Sequence, residues 1–261
     1  MRELIGHTPL VKINYAFEQV EGVNLFAKLE YYNPSGSVKD RTGLYMVEDA
    51  IKDGRLKRGS TIVEATAGNT GLGVAFAALN QGFHVIFVVP EKFSEEKQIL
   101  MKALGSDIIH TKREDGMLGA AAKAQELLSE IKDSISLQQF KNMSNPKAHY
   151  ETTGPEIYQD LDGKIDYLVA GAGSGGTYSG VVKFLKEQNR NIKGILADPV
   201  GSTMGGGEHA DYDIEGIGND FIADTMDMSL VDKVIKINDS QAFDGARALA
   251  RHEGILGGSS T

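Results

Sequence analysis

Cysteine is absent from the 261 residues, which excludes disulfides, thiolate nucleophiles and cysteine-ligated metals and is compatible with a reducing cytoplasm. The six histidines are scattered, without H-E-x-x-H or another ligating spacing, so no metal site is expected. Basic residues are in the minority, 27 against 36 acidic. The resulting net charge of -9 argues against nucleic acid or an anionic membrane surface as partner. No apolar run approaches membrane-spanning length, and Met1 to Leu10 lacks the basic and then apolar run of a secretory signal. A cytoplasmic protein is the expectation. No low-complexity tract or internal repeat is visible, which sets a solenoid aside.

What is present suits a folded α/β protein: 41% of residues are hydrophobic and 24% charged, enough to bury a sizeable core. Leu25 to Leu29 reads as a strand. Leu44, Val47 and Ile51 fall at helical spacing, so Lys39 precedes or opens a helix. A rhythm follows, with strands at 61–64 and 85–89 and around Ile108-Ile109, and helices at 72–80 and 120–131. Ser94 is a candidate cap for a further helix, with Lys97 at the capping-box position. The pattern repeats with strands at 167–170, 195–197 and 234–237 and helices at 178–188 and 241–252. Such alternation implies parallel sheets covered by helices on both faces. The segment Asn142 to Pro146 reads as the crossing between two sheets, giving an N-terminal domain 1–143 and a C-terminal domain 144–261. Residues 201–220, rich in glycine and acids, lack periodicity and read as an active-site or surface loop.

Three places could carry chemistry. In Asn33-Pro34-Ser35-Gly36-Ser37-Val38-Lys39-Asp40-Arg41 a lysine stands at the mouth of a helix, where the dipole favours loss of its proton. Such an amine can form a Schiff base with a carbonyl, the aldehyde of pyridoxal phosphate included; the alternative is a solvated loop lysine. Thr66-Ala67-Gly68-Asn69-Thr70-Gly71 lies between strand and helix and offers backbone N–H groups, an amide and hydroxyls to an anion. It is no P-loop, because the Gly-Lys-Ser/Thr ending is missing, and an ordinary capped turn is its other reading. Gly171-Ala172-Gly173-Ser174-Gly175-Gly176-Thr177 suits a phosphate in the same way. It also satisfies G-x-G-x-x-G, with Asp198 at the end of the next strand, so a nicotinamide dehydrogenase is a rival, and a bare glycine turn a third reading. The combination separates them: a nicotinamide enzyme has no use for the lysine or for the second anion-binding turn, whereas a pyridoxal enzyme uses all three.

Taken in order, Ile5 to Leu10, Asn33 to Arg41, Glu64 to Gly71, Gln138-Gln139-Phe140, Thr152 to Glu156, Gly171 to Gly176, Glu215 to Gly218 and Gly254 to Ser260 resemble the cysteine synthase and cystathionine β-synthase family. These are β-replacing pyridoxal phosphate enzymes of fold type II, related to the tryptophan synthase β subunit. The resemblance implies two α/β domains with the cofactor between them, amino-acid substrates and a homodimer. It implies that Lys39 forms the Schiff base and takes the α-proton, and that Asn69 bonds the cofactor's ring hydroxyl. Gly173, Ser174, Gly175, Gly176 and Thr177 would hold the phosphate, and Ser259 would face the pyridine nitrogen. Thr66, Ala67, Gly68 and Thr70 would receive the substrate carboxylate with Gln139, and Gly216 would belong to a gate over the substrate. A serine rather than a carboxylate at the ring nitrogen favours β-elimination and β-addition over transamination.

Ala67 stands where sulfide-using cysteine synthases usually carry serine, which removes one hydroxyl. Lys39-Asp40-Arg41, Asp198 to Ser202 and Gly218 to Ile222 are similar to the cystathionine-forming branch. Asp220 could act as a base toward a thiol or water, or be a solvated loop acid. The implied activity is replacement at Cβ of O-acetylserine, serine or cysteine through an aminoacrylate, giving cystathionine or cysteine. Cysteine-dependent sulfide release is the alternative. The family continues past the ring-nitrogen serine with further helix and strand, so residues beyond Thr261 are expected to be missing.

Overall fold

The structure is a computed structural model that describes residues 2–15, 20–66, 68–91 and 95–261. In chain order the elements are β1 Leu10–Ile13, β2 Leu25–Lys28, α1 Lys39–Lys52, β3 Thr61–Ala65, α2 Asn69–Ala78 and β4 His84–Pro90. There follow α3 Glu95–Ala103, β5 Asp107–Thr111, α4 Gly116–Glu130, β6 Ser134–Ile135, α5 Ser144–Ala148, a π-helical turn His149–Thr153 and α6 Gly154–Asp160. The chain closes with β7 Tyr167–Gly171, α7 Gly176–Gln188, β8 Lys193–Pro199, β9 Lys233–Ile237 and α8 Asp239–Glu253. The cap expected at Ser94 lies outside the described residues. None of the described helices is long and apolar enough to cross a membrane.

The chain forms two compact units, Met1–Gly6 with Tyr31–Asn145, and His7–Glu30 with Pro146–Thr261. The expected single division at 143/144 is therefore corrected for residues 7–30, which belong with the C-terminal half. The reason is local pairing: β1 and β2 form an antiparallel hairpin, and Lys28 Nζ lies 2.9 Å from Glu156 and 3.3 Å from Asp160.

The first unit holds a four-stranded parallel sheet of order β5-β4-β3-β6. Successive strand residues point to opposite faces, and both faces are apolar. Ile62 and Phe87 join the core made with Met46, Val47 and Leu72, while Val63 and Val88 pack on Ala120, Ala124 and Leu127 of α4. That two-sided burial makes these strands near-continuous hydrophobic runs. The buried face of α1 is Gly43, Met46, Val47 and Ala50, shifted from the expected Leu44-Val47-Ile51 stripe because α1 lies close against α2. A Cβ built on Gly73 would stand 2.4 Å from the Lys39 carbonyl oxygen, and one on Gly43 2.4 Å from the Gly73 carbonyl carbon. Only glycine lets the two backbones approach so far.

The second unit holds a parallel sheet of order β7-β8-β9. Tyr178 and Val182 of α7 pack against Leu196 and Met204, and Val181 and Leu185 pack against Ile157, Ile165 and Ile192. The 201–220 segment contains no helix or strand, as expected. Helix α1 opens on Lys39, one of the two expected placements, and four helices begin earlier than the sequence pattern suggests, at Asn69, Gly116, Gly176 and Asp239, because polar or glycine-rich first turns carry no apolar periodicity.

Candidate active site

In the first unit Lys39 is the first residue of α1, and the loop before it is tied down by that helix. Asp40 accepts from the Ser35 N–H at 2.7 Å and from the Ser35 hydroxyl. The Lys39 N–H donates to Ser37 Oγ at 3.2 Å, and Asn33 Oδ1 accepts from the Gly6 N–H at 2.8 Å. Asp40 is fully buried, and its carboxylate, in the first turn of α1 where the helix dipole favours an acid, ties the loop residue Ser35 back to the helix. Lys39 itself is half-buried.

The turn after β3 opens α2 with Asn69 as its first residue and Gly68 as the cap. Thr66 and Thr70 are buried, and Ala67 lies outside the described residues. The Thr70 hydroxyl donates to Gln139 Oε1 at 2.6 Å, which joins the two expected carboxylate-binding segments. Asn145, buried at 1% exposure, extends the link. Its amide donates to the Gln139 carbonyl at 2.9 Å and its Oδ1 accepts from the Thr42 hydroxyl of α1 at 3.1 Å. The helix carrying Lys39 and the segments carrying Thr70 and Gln139 are thus coupled through a residue that the sequence reading took only for part of a crossing.

Behind that turn lies Glu64. Burial pushes its carboxyl above the ordinary carboxylate range, opposed by the Leu137 N–H, the Ser136 hydroxyl and the Gln138 N–H. The residue keeps some exposed surface, but its Oε1 accepts all three bonds.

In the second unit the loop after β7 runs into α7, whose cap Gly175 is left-handed with φ 82°. A Cβ there would lie 2.4 Å from Met226 Cβ, so both conformation and space demand glycine. The loop's carbonyls are engaged by a second loop. The Gly218 N–H donates to the Ala172 carbonyl at 2.8 Å, Asn219 Nδ2 to that of Gly173 at 2.6 Å, and the Thr225 hydroxyl to that of Ser174 at 2.5 Å. Gly176 and Thr177 occupy the first turn of α7, where N–H groups have no intrahelical acceptor. A near side-chain-free loop at a helix start fits a phosphate group.

Gly216 and Ser259 are brought near one another, since the Glu215 N–H donates to Ser259 Oγ at 3.0 Å. Asp220 is exposed and pairs with His209 Nδ1 at 2.8 Å. His209 was marked in the sequence only by its place in the loop 201–220, and Asn219 only as part of the Gly218 to Ile222 stretch.

The dinucleotide reading is corrected. Asp198, at 1% exposure, is engaged by Lys236 Nζ at 2.5 Å and by the Gly205 N–H at 3.0 Å. Lys236 also donates to the Ser202 carbonyl at 2.6 Å. A ribose-binding acid has to face a ligand; this one is enclosed by an ion pair that anchors the following loop.

Residues 1–261 match the profile of a family described as pyridoxal-phosphate dependent enzyme. The chain is 50% identical over 259 residues to the O-acetylserine dependent cystathionine beta-synthase of Bacillus subtilis (strain 168), covering 99% of this chain and 84% of that protein. It is 43% identical over 264 residues to the cysteine synthase of Helicobacter pylori (strain J99), covering 100% and 86%. Among solved structures, a hydrogen sulfide-producing enzyme from Fusobacterium nucleatum matches with a TM-score of 0.93 and 41% identity, covering 100% of this chain and 86% of that one.

Proposed function

The chain belongs to the family of pyridoxal-phosphate dependent enzymes, and from that premise we propose that it performs β-replacement on O-acetylserine, serine or cysteine, forming cystathionine or cysteine. The observation that carries the reading is the position of Lys39 as the opening residue of α1, in a loop pinned by the buried Asp40. When bound, pyridoxal phosphate supplies a ring that withdraws charge from the substrate's α-carbon.

The protein's own residues divide the remaining work. Lys39 would hold the cofactor through its Nζ, and the same amine would take the substrate's α-proton. Thr70 donates to Gln139 Oε1, which assigns the Gln139 amide hydrogens to the substrate carboxylate, received together with Thr66, Ala67 and Gly68. Asn69 bonds the ring hydroxyl. Gly173, Ser174, Gly175, Gly176 and Thr177 hold the phosphate with N–H and O–H donors. Ser259 Oγ accepts from the Glu215 N–H, so its hydroxyl hydrogen can point to the pyridine nitrogen without protonating it. Gly216 serves the gate over the substrate. Asp220, oriented by His209, takes the proton of the incoming thiol or water.

Cysteine-dependent release of sulfide is the second reading, supported by the likeness to the Fusobacterium nucleatum enzyme. A cytoplasmic homodimer completes the proposal. Borohydride reduction of the yellow protein followed by peptide mapping should label Lys39; a label elsewhere defeats the reading. Initial rates with each donor, against sulfide, homocysteine and cysteine as acceptors, separate the two activities, and sedimentation tests the dimer.

A further inference from the structure

His149 is fully buried and has been given no role. Its Nδ1 lies 2.9 Å from Thr153 Oγ1, and its Nε2 lies 3.1 Å from Thr177 Oγ1. His149 and Thr153 bound the π-helical turn, in which the Gly154 N–H reaches back five residues to the His149 carbonyl. Such widened turns recur at functional sites. Helix α7 is held hard against this turn, because a Cβ on Gly180 would stand 2.2 Å from the Pro146 carbonyl oxygen and 2.8 Å from His149 Cβ. The imidazole thus has a fixed place between two hydroxyls, 0% exposed, with Thr153 at 2%.

A threonine hydroxyl has one hydrogen, and a neutral imidazole has one N–H and one acceptor nitrogen. With the ring hydrogen on Nδ1, the ring donates to Thr153 and Nε2 consumes the only hydroxyl hydrogen of Thr177. Thr177 would then present lone pairs alone to a phosphate dianion. With the ring hydrogen on Nε2, the ring donates to Thr177 Oγ1, Thr153 donates to Nδ1, and the Thr177 hydrogen is left for the phosphate. The geometry points to His149 as a positioning residue: as the neutral Nε2–H tautomer, backed by Thr153, it directs the Thr177 hydroxyl hydrogen at the cofactor phosphate. This rests on the proposed role of Thr177 as a phosphate ligand.

The tautomer is read directly from long-range proton–nitrogen correlations of histidine-labelled holoenzyme, with His149 assigned by its loss in His149→Gln. A hydrogen on Nε2 alone is expected; a hydrogen on Nδ1, or on both nitrogens, overturns the proposal. Cofactor dissociation gives the second readout. His149→Gln places an amide N–H near Nε2 and should hold the cofactor within a few-fold of the parent. His149→Asn reaches only toward Thr153 and should weaken cofactor binding by about tenfold or more, the worth of one hydrogen bond to a charged group. In a Thr177→Val background the His149→Asn effect should vanish. Equal weakening with Thr177 present or absent overturns the proposal, since it would report packing alone. Failure of the parent protein to take up pyridoxal phosphate would instead defeat the proposed function.

Discussion

Asn145 joins α1 to the segment that carries Gln139. Its amide satisfies the Gln139 carbonyl while its oxygen takes the Thr42 hydroxyl. Asn145→Ala removes both bonds, the one with Thr42 buried and the one with Gln139 part-buried, so a stability loss of about 1–3 kcal/mol is expected from denaturant midpoints. The larger signature should be kinetic, a raised KM for the amino-acid donor with kcat less affected, because Gln139 loses its anchor. Glu64 gives a pH signature. Its folded carboxyl stands above the ordinary value near 4.5, so the stability it contributes is present below about that pH and is lost as pH rises through the raised value. Glu64→Gln keeps an oxygen for the same three donors and removes the ionisation. Urea midpoints of the variant should therefore gain on the parent as pH is taken from 4 upward, and a constant difference would contradict the assignment. Lys39, the Asn69 turn and the glycine loop were legible in sequence because glycine, proline and hydroxyl residues mark strand-to-helix loops. Asn145, Asn219 and His209 were not, since polar residues in aperiodic segments reveal their partners only in three dimensions.

At the scale of elements, two close approaches hold the loops that matter. Gly73→Ala would drive a methyl into the Lys39 carbonyl, and packed backbones cannot yield cheaply. The variant should lose about 1–3 kcal/mol of stability and show reduced borohydride labelling of Lys39 at a fixed cofactor concentration. Gly175→Ala meets both a left-handed φ and the Met226 side chain and backbone. Its cofactor dissociation constant should rise, with the first unit's melting little changed, as read by hydrogen exchange in β3 and β4. The alternation of strands and helices was visible in the sequence because two-sided burial makes β3, β4 and β8 apolar runs. The hairpin strand β1, the two-residue β6 and the helices between 144 and 160 were not, being too short or too polar for a periodic signal.

At the scale of the molecule, the second unit draws on two separated pieces of chain. Lys28 is one of the bonds that joins them, with its side chain only 9% exposed beside Glu156 at 12%. Removing one partner of a buried pair leaves the other charge uncompensated, at a cost of about 3 kcal/mol. Lys28→Met should accordingly accelerate amide exchange in β1 and β2 while leaving β3, β4 and β5 protected. No sequence signal announced this assignment, because a two-strand hairpin reads the same whichever unit it joins.

That discontinuity bears on synthesis as well as on stability. Translation delivers residues 7–30 early, yet their docking surface on α6 does not exist until the chain beyond Pro146 has emerged, while the parallel sheet of the first unit can close in the interval. Residues 7–30 therefore wait for their mooring while the first unit is being made, and a chain ending at Asn145 should yield a protease-resistant first unit interrupted by a cleavable segment at 7–30.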